Sequence, residues 1–164
     1  MKRIFAICFA AAFFLTQGSS FALADEKEGP YYVQLLSFML NAEQNGQRSG
    51  QVPTTPYLTA ATKDDAEIIC QKFSHVREAV VGTAFNAVVP IEKGAPVYTE
   101  VEAQMKRAIN RSLRKRLVSQ VTLMLGAHPM GQGVSSKLPY NAMGCRALTA
   151  LPTPEDIRKA RSGR

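Results

Sequence analysis

The chain has 164 residues, 46% of them hydrophobic, and carries twenty Lys/Arg against thirteen Asp/Glu for a formal net charge of +7. That is the length of one ordinary domain, enough to bury a core without a structural metal or a dense set of disulfides. Beyond the apolar run near the N-terminus, no second run is long enough to cross a bilayer.

Lys2 and Arg3 precede the apolar run IFAICFAAAFFL, and a polar TQGSS and Ala22-Leu23-Ala24 follow it. A basic start, a short apolar centre and an A-x-A end are the signs of a secretory signal peptide. The polar break at Gln17 comes too early for a spanning helix of about 20 residues. Cleavage is expected after Ala24, which makes the mature chain periplasmic or secreted; a retained anchor is the alternative. Residues 25–30, DEKEGP, read as a linker, 31–150 as one α+β domain, and 151–164 as a basic tail or short helix.

YYVQLLSFML, 31–40, is rich in strand formers and nearly continuous in apolarity, which fits a strand buried on both faces or one paired against a covering helix. Asn45-Gly46 is a strong turn dipeptide, so 51–61 is expected to return as a second strand in a long hairpin with an exposed tip. Pro53 and Pro56 are expected to confine the first half of that strand to an edge or an irregular lead-in. A helix should begin near Thr62, with Asp64 and Asp65 in its first turn. Ala66, Ile69, Cys70, Phe73, Val76, Val80 and Ala84 form its apolar stripe at three- and four-residue steps. Ser74 is a candidate break in it. FNAVVPIEKGAPVY, 85–98, is a connector with room for one short strand.

The second helix starts at Thr99-Glu100-Val101-Glu102, a capping-box pattern. At 100° per residue Val101, Met105, Ala108, Ile109 and Leu113 share one side, with Arg107, Arg111 and Arg114 opposite and Lys106 and Lys115 flanking them. Arg116 falls on the apolar side, so the helix should stop at about Lys115. Glu102–Lys106 is the one i,i+4 ion pair this helix offers. VSQVTLMLG, 118–126, reads as a strand ended by Gly126. The glycine- and proline-rich 127–148 should be mostly irregular, and Thr153-Pro154-Glu155-Asp156 is a good helix start. The expected fold is α+β: a small antiparallel or mixed sheet packed by two amphipathic helices, in the order β-β-α-(β)-α-β.

Cys8 lies in the predicted signal peptide, leaving Cys70 and Cys145. In an oxidising compartment these two allow one intramolecular disulfide, which is the expectation; free thiols or a bridge between chains are the alternatives. No C-x-x-C motif supports a redox role.

Charge divides along the chain. Residues 25–102 hold six Lys/Arg against eleven Asp/Glu, and 103–164 hold twelve against two. Such polarity points to an anionic partner met by one face. Export excludes nucleic acid and leaves lipid head groups, cell-wall polymer or an acidic envelope protein, with a homo-oligomer also open. The candidate contact surface is Lys106, Arg107, Arg111, Arg114 and Lys115; a solvated helix face is the plain alternative. No residue set reads as catalytic. Ser74-His75 adjacency does not make a nucleophile–base pair. His128-Pro129-Met130 with Met143 and Cys145 is a loose set for a soft metal such as copper, and Cys145 is better placed in a disulfide. Gly131-Gln132-Gly133 lacks the following helix that a phosphate cradle needs. No metal or other cofactor is expected.

Two stretches resemble the flagellar basal-body-associated FliL family. HVREAVV, 75–81, is similar to that family's helix with a charged step between aliphatics. AINRSLRKRLVSQVTLML, 108–125, looks like its second helix, with an asparagine after an isoleucine, feeding a valine-rich strand. The resemblance covers about 31–126. It implies a small periplasmic α+β domain of the stomatin-like kind that acts by assembly around a membrane machine, without catalytic residues. The chain departs from the family in its cleavable leader, in GAHPMGQG after the last strand, in its two cysteines and in its tail. PYYVQLLSF, 30–38, is similar to the opening strand of cell-wall-binding SPOR domains, but the amphipathic helix expected next is replaced by NAEQNGQRSG.

Overall fold

The computed structural model describes residues 29–130 and 144–162. The predicted signal peptide, most of the predicted linker, Gly131-Gln132-Gly133 and Met143 lie outside the described residues. The fold is α+β, with a mixed sheet and four helices.

The sheet is organised around one long strand. Strands β1 (Tyr31–Leu35) and β2 (Phe38–Gln44) lie end to end along one edge of β3 (Gln47–Ala60). Asn45 and Gly46 make the hairpin turn with φ of 54° and 75°, the paired positive values that suit the right-handed twist of the strands. The expected single strand over 31–40 is thus two, interrupted at Leu36 and Ser37. The register explains why: Gln34 pairs with Tyr57 but Phe38 with Thr54, so one extra residue sits on the β1–β2 side.

Both prolines lie inside the long strand β3 rather than in an irregular lead-in, but each has a register partner on one side only, Pro53 with Met39 and Pro56 with Leu123, so the expected edge position holds locally. The Pro53 carbonyl accepts the Gly126 N–H at 2.7 Å. Peptide groups alternate sides along a strand, so the ring nitrogen of Pro53 faces the end of the last long strand and that of Pro56 faces the β1–β2 interruption. Each missing N–H therefore falls where the ladder already stops. At the first site a side chain fills in, as the Thr55 hydroxyl donates to the Gly126 carbonyl at 2.6 Å.

The expected first helix is α1 (Lys63–Gln71) and α2 (Phe73–Asn86), broken at Lys72 rather than Ser74. Thr62 caps α1, its hydroxyl accepting the Asp65 N–H at 3.1 Å. The connector forms β4 (Val88–Glu92), parallel to β2, and β5 (Ala95–Pro96). Helix α3 (Thr99–Leu113) and strand β6 (Val118–Leu125), antiparallel to the second half of β3, follow. Helix α1 lies over β1 and over residues 145–148, α2 over β2 and against α3, and α3 over β6. On α3 the fully buried stripe is Val101, Met105, Ile109 and Leu113, whose burial stabilises by about 8 kcal/mol as an upper figure. That exceeds any contribution from propensity or capping, and it sets which face of α3 turns inward.

Within 127–148, expected to be irregular, Cys145–Leu148 forms β7, antiparallel to the outer edge of β1. All four of its residues are buried. Cys145 faces the helices and bonds Cys70 of α1, with Cα atoms 5.6 Å apart across a sequence separation of 75. Gly144 approaches α2 so closely that a Cβ there would meet the Phe73 ring at 2.7 Å, and its φ of +97° also favours glycine. The last helix, α4 (Pro154–Ser162), starts as its sequence suggests, with Thr153 and Asp156 in reciprocal hydrogen bonds and proline first.

Closing so long a loop contributes about 4 kcal/mol in the chain-entropy picture. Cys70→Ser/Cys145→Ser should therefore lower the unfolding free energy by roughly that amount, measured by urea titration against the oxidised chain. A loss well under 1 kcal/mol would show that β7 holds its place without the bridge.

Candidate functional site

The basic residues of α3 and the turn after it surround one groove. Lys106, Arg107, Arg111, Arg114, Lys115 and Arg116 line it, with Asn110, Val118 and Ser119 between them, and its volume is about 720 Å³. The structure brings all five predicted contact residues together there and adds Arg116. None of the six has a carboxylate within 4.0 Å among the described residues, where the ion pairs are Lys63–Glu67 and Lys159–Glu155.

A second stripe on α3 explains how the groove is built. Glu102, Lys106 and Asn110, four residues apart, all address the backbone of β6 along the edge that faces away from β3. The Glu102 carboxylate accepts the Leu123 N–H at 2.7 Å. The Lys106 ammonium donates to the Ser119 carbonyl at 3.4 Å. The Asn110 amide donates to the Val118 carbonyl at 2.8 Å and accepts the Val118 N–H at 3.0 Å. Two expectations change as a result. Glu102 neither closes a capping box nor pairs with Lys106, and α3 begins at Thr99 with Tyr98 before it and no side-chain cap.

The helix also ends two residues sooner than expected, at Leu113. Arg114 adopts φ 55° and ψ 23°, the left-handed conformation usual for glycine after a helix, and Lys115 N–H reaches back to the Asn110 carbonyl at 3.3 Å. This reversal takes Arg116 off the apolar side, where helical spacing had put it, and leaves it exposed at the groove. Helix carbonyl ends attract cations, but the dipole there is worth only about half an elementary charge. Six cations exceed it many times over, so the groove stays strongly positive.

The other candidates have structural roles. His75 is exposed, and its carbonyl accepts from Ser112 at 3.1 Å, so Ser74-His75 forms no nucleophile–base pair. Asp64 and Asp65 sit in the first turn of α1. His128 is buried on the sheet face away from the helices. Its Nε2 lies 3.2 Å from the Leu125 carbonyl and its Nδ1 2.8 Å from the Tyr57 hydroxyl. A carbonyl only accepts, so Nε2 carries the proton and Nδ1 accepts from Tyr57. Burial pushes the Tyr57 phenol up to about 12, which keeps it protonated for that bond. Thr55 accepts the His128 N–H at 3.0 Å, and Gln34 donates to the His128 and Pro129 carbonyls at 3.4 Å each. This cluster fastens 126–130 to the sheet. The loose copper set thereby loses His128 to hydrogen bonds and Cys145 to the disulfide. No group of three His, Cys, Asp or Glu is placed to hold a metal among the described residues. Strand β1, the stretch similar to cell-wall-binding domains, is paired on both edges, with β3 and β7.

No family model matches the chain, and no curated protein or solved structure matches it.

Two substitutions separate scaffold from groove. Asn110→Ala leaves a strand N–H and carbonyl without their partner and should cost about 2 kcal/mol in urea unfolding. Arg114→Gly should instead raise stability by up to about 1 kcal/mol, because it removes both a strained left-handed conformation and one of six mutually repelling cations. A stability loss for Arg114→Gly would mean that the side chain holds the turn together.

Proposed function

We propose that this chain is a non-enzymatic, exported interaction domain that docks an anionic partner of the cell envelope through the basic groove. One observation carries the reading: six cations gather at one concavity without a carboxylate within 4.0 Å of any of them among the described residues. Like charges held together lower stability, and a purely solvated surface has no reason to exclude acids. The N-terminal leader pattern and a disulfide between distant elements support export to an oxidising compartment. The resemblance to the FliL family supplies the form of the role, assembly around a membrane machine rather than turnover of a substrate. The groove offers such a role a surface to act through, and His128 and Cys145 are engaged in hydrogen bonds and in the disulfide.

The test is retention on an isolated envelope fraction. Binding should fall steeply as salt rises from about 0.1 M to about 1 M, over which the screening length shortens from about 10 Å to about 3 Å. Arg107→Glu/Arg111→Glu/Arg114→Glu should abolish it while circular dichroism and the disulfide stay unchanged. Salt-insensitive binding that survives the triple reversal would leave the groove as ordinary surface.

A further inference from the structure

Resting on that docking reading, we propose that the groove takes a flexible chain bearing successive phosphate groups, rather than a carboxylate-rich peptide or a bilayer surface. The hydrogen-bonding chemistry of the lining selects this class. Arg and Lys offer donors and no acceptors. Several of the acceptors between them are already engaged. Asn110 Oδ1 holds the Val118 N–H, the Ser119 carbonyl holds Lys106, and the Asn110 and Arg111 carbonyls hold the Lys115 and Arg114 N–H groups. The Ser119 hydroxyl donates to the Thr59 carbonyl at 3.0 Å. The lone pairs of that hydroxyl, the second lone pair of Asn110 Oδ1 and the Arg114, Lys115 and Arg116 carbonyls, which have no hydrogen-bond partner among the described residues, are the acceptors left in the lining. A peptide carries an N–H at nearly every residue and would find far fewer acceptors there than donors. A phosphate chain presents acceptors alone and matches a wall of donors.

Geometry points the same way. Four of the six cations are arginines, whose planar forks bind phosphate oxygens in pairs. Arg114 stands in a backbone conformation that glycine fills at lower cost, so its guanidinium is kept at the groove against a local preference. A bilayer favours a face that adds apolar side chains to its cations. Among the described residues the large exposed apolar side chains are Leu36, Met39, Val81, Phe85, Val88, Val97 and Leu125, and none of them lines the groove.

Binding of the full, oxidised chain to inorganic polyphosphate, to polyglutamate of equal charge and to phosphatidylglycerol vesicles tests this by calorimetry at one salt concentration. Polyphosphate should bind at least about tenfold more tightly than polyglutamate, a difference of about 1.4 kcal/mol, and vesicles should bind most weakly. Arg111→Lys/Arg114→Lys keeps the charge but removes two forks; it should weaken polyphosphate severalfold. Equal affinity for polyglutamate, or tighter binding to vesicles, overturns the phosphate inference and leaves anionic docking standing. Failure to bind any of the three overturns both.

Discussion

The amide of Asn110 meets the Val118 backbone at both its N–H and its carbonyl, and with Glu102 and Lys106 it makes α3 the lateral neighbour of β6. This contact fixes the geometry on which the rest depends. The apolar stripe of α3 turns to the core, a polar stripe turns to the strand edge, and what remains is the cationic side. Because the helix is tied to the strand that follows it, the connecting turn is short and carries a left-handed residue. The groove is the outside of that turn.

The far side of the sheet is held differently. There the interior of β3 contains two prolines, and the gaps they leave in the ladder coincide with the β1–β2 interruption and with the end of β6. Thr55, Tyr57, Gln34 and His128 bond to one another and to the chain beyond β6. No buried side-chain nitrogen or oxygen lacks a partner among the described residues. A buried polar layer is costly when half-made and specific when complete. Here it aims the chain after β6 across the sheet, while the disulfide returns β7 to the edge beside α1.

Much of the fold was legible from the sequence because apolar burial outweighs the other forces that shape it. The stripe on α1 and α2, the stripe on α3, the Asn45-Gly46 turn and the cysteine pair each carry a local or compositional signal. The misses share a cause: they depend on partners distant in sequence. Pro53 and Pro56 look like an irregular lead-in until β6 and the β1–β2 break, which leave each of them one unpaired side, are placed beside them. Glu102 looks like a capping residue and ion-pair partner until Leu123 is seen 2.7 Å from its carboxylate. His128 looks like a metal donor until Tyr57 is found against it. Of the groove, five cations followed from helical spacing alone. Arg116 did not, because its position depends on where the helix stops, and that is set by Asn110 and its long-range bond to Val118. A polar residue at every fourth position, beside a stripe of apolar ones, was the signal available for it.

The side chains of Glu102 and Asn110 have one more consequence. Beyond β3, strand β6 has no strand neighbour among the described residues, and an open edge invites a strand from another molecule. Here the backbone groups that would recruit one are partly occupied by a carboxylate and an amide from the same domain. Extension of the sheet into a fibre is discouraged on that side, and a visiting protein cannot readily dock by adding a strand there. On that edge, contact with another chain would fall to side chains, whose charges ionic strength can screen, and not to main-chain pairing.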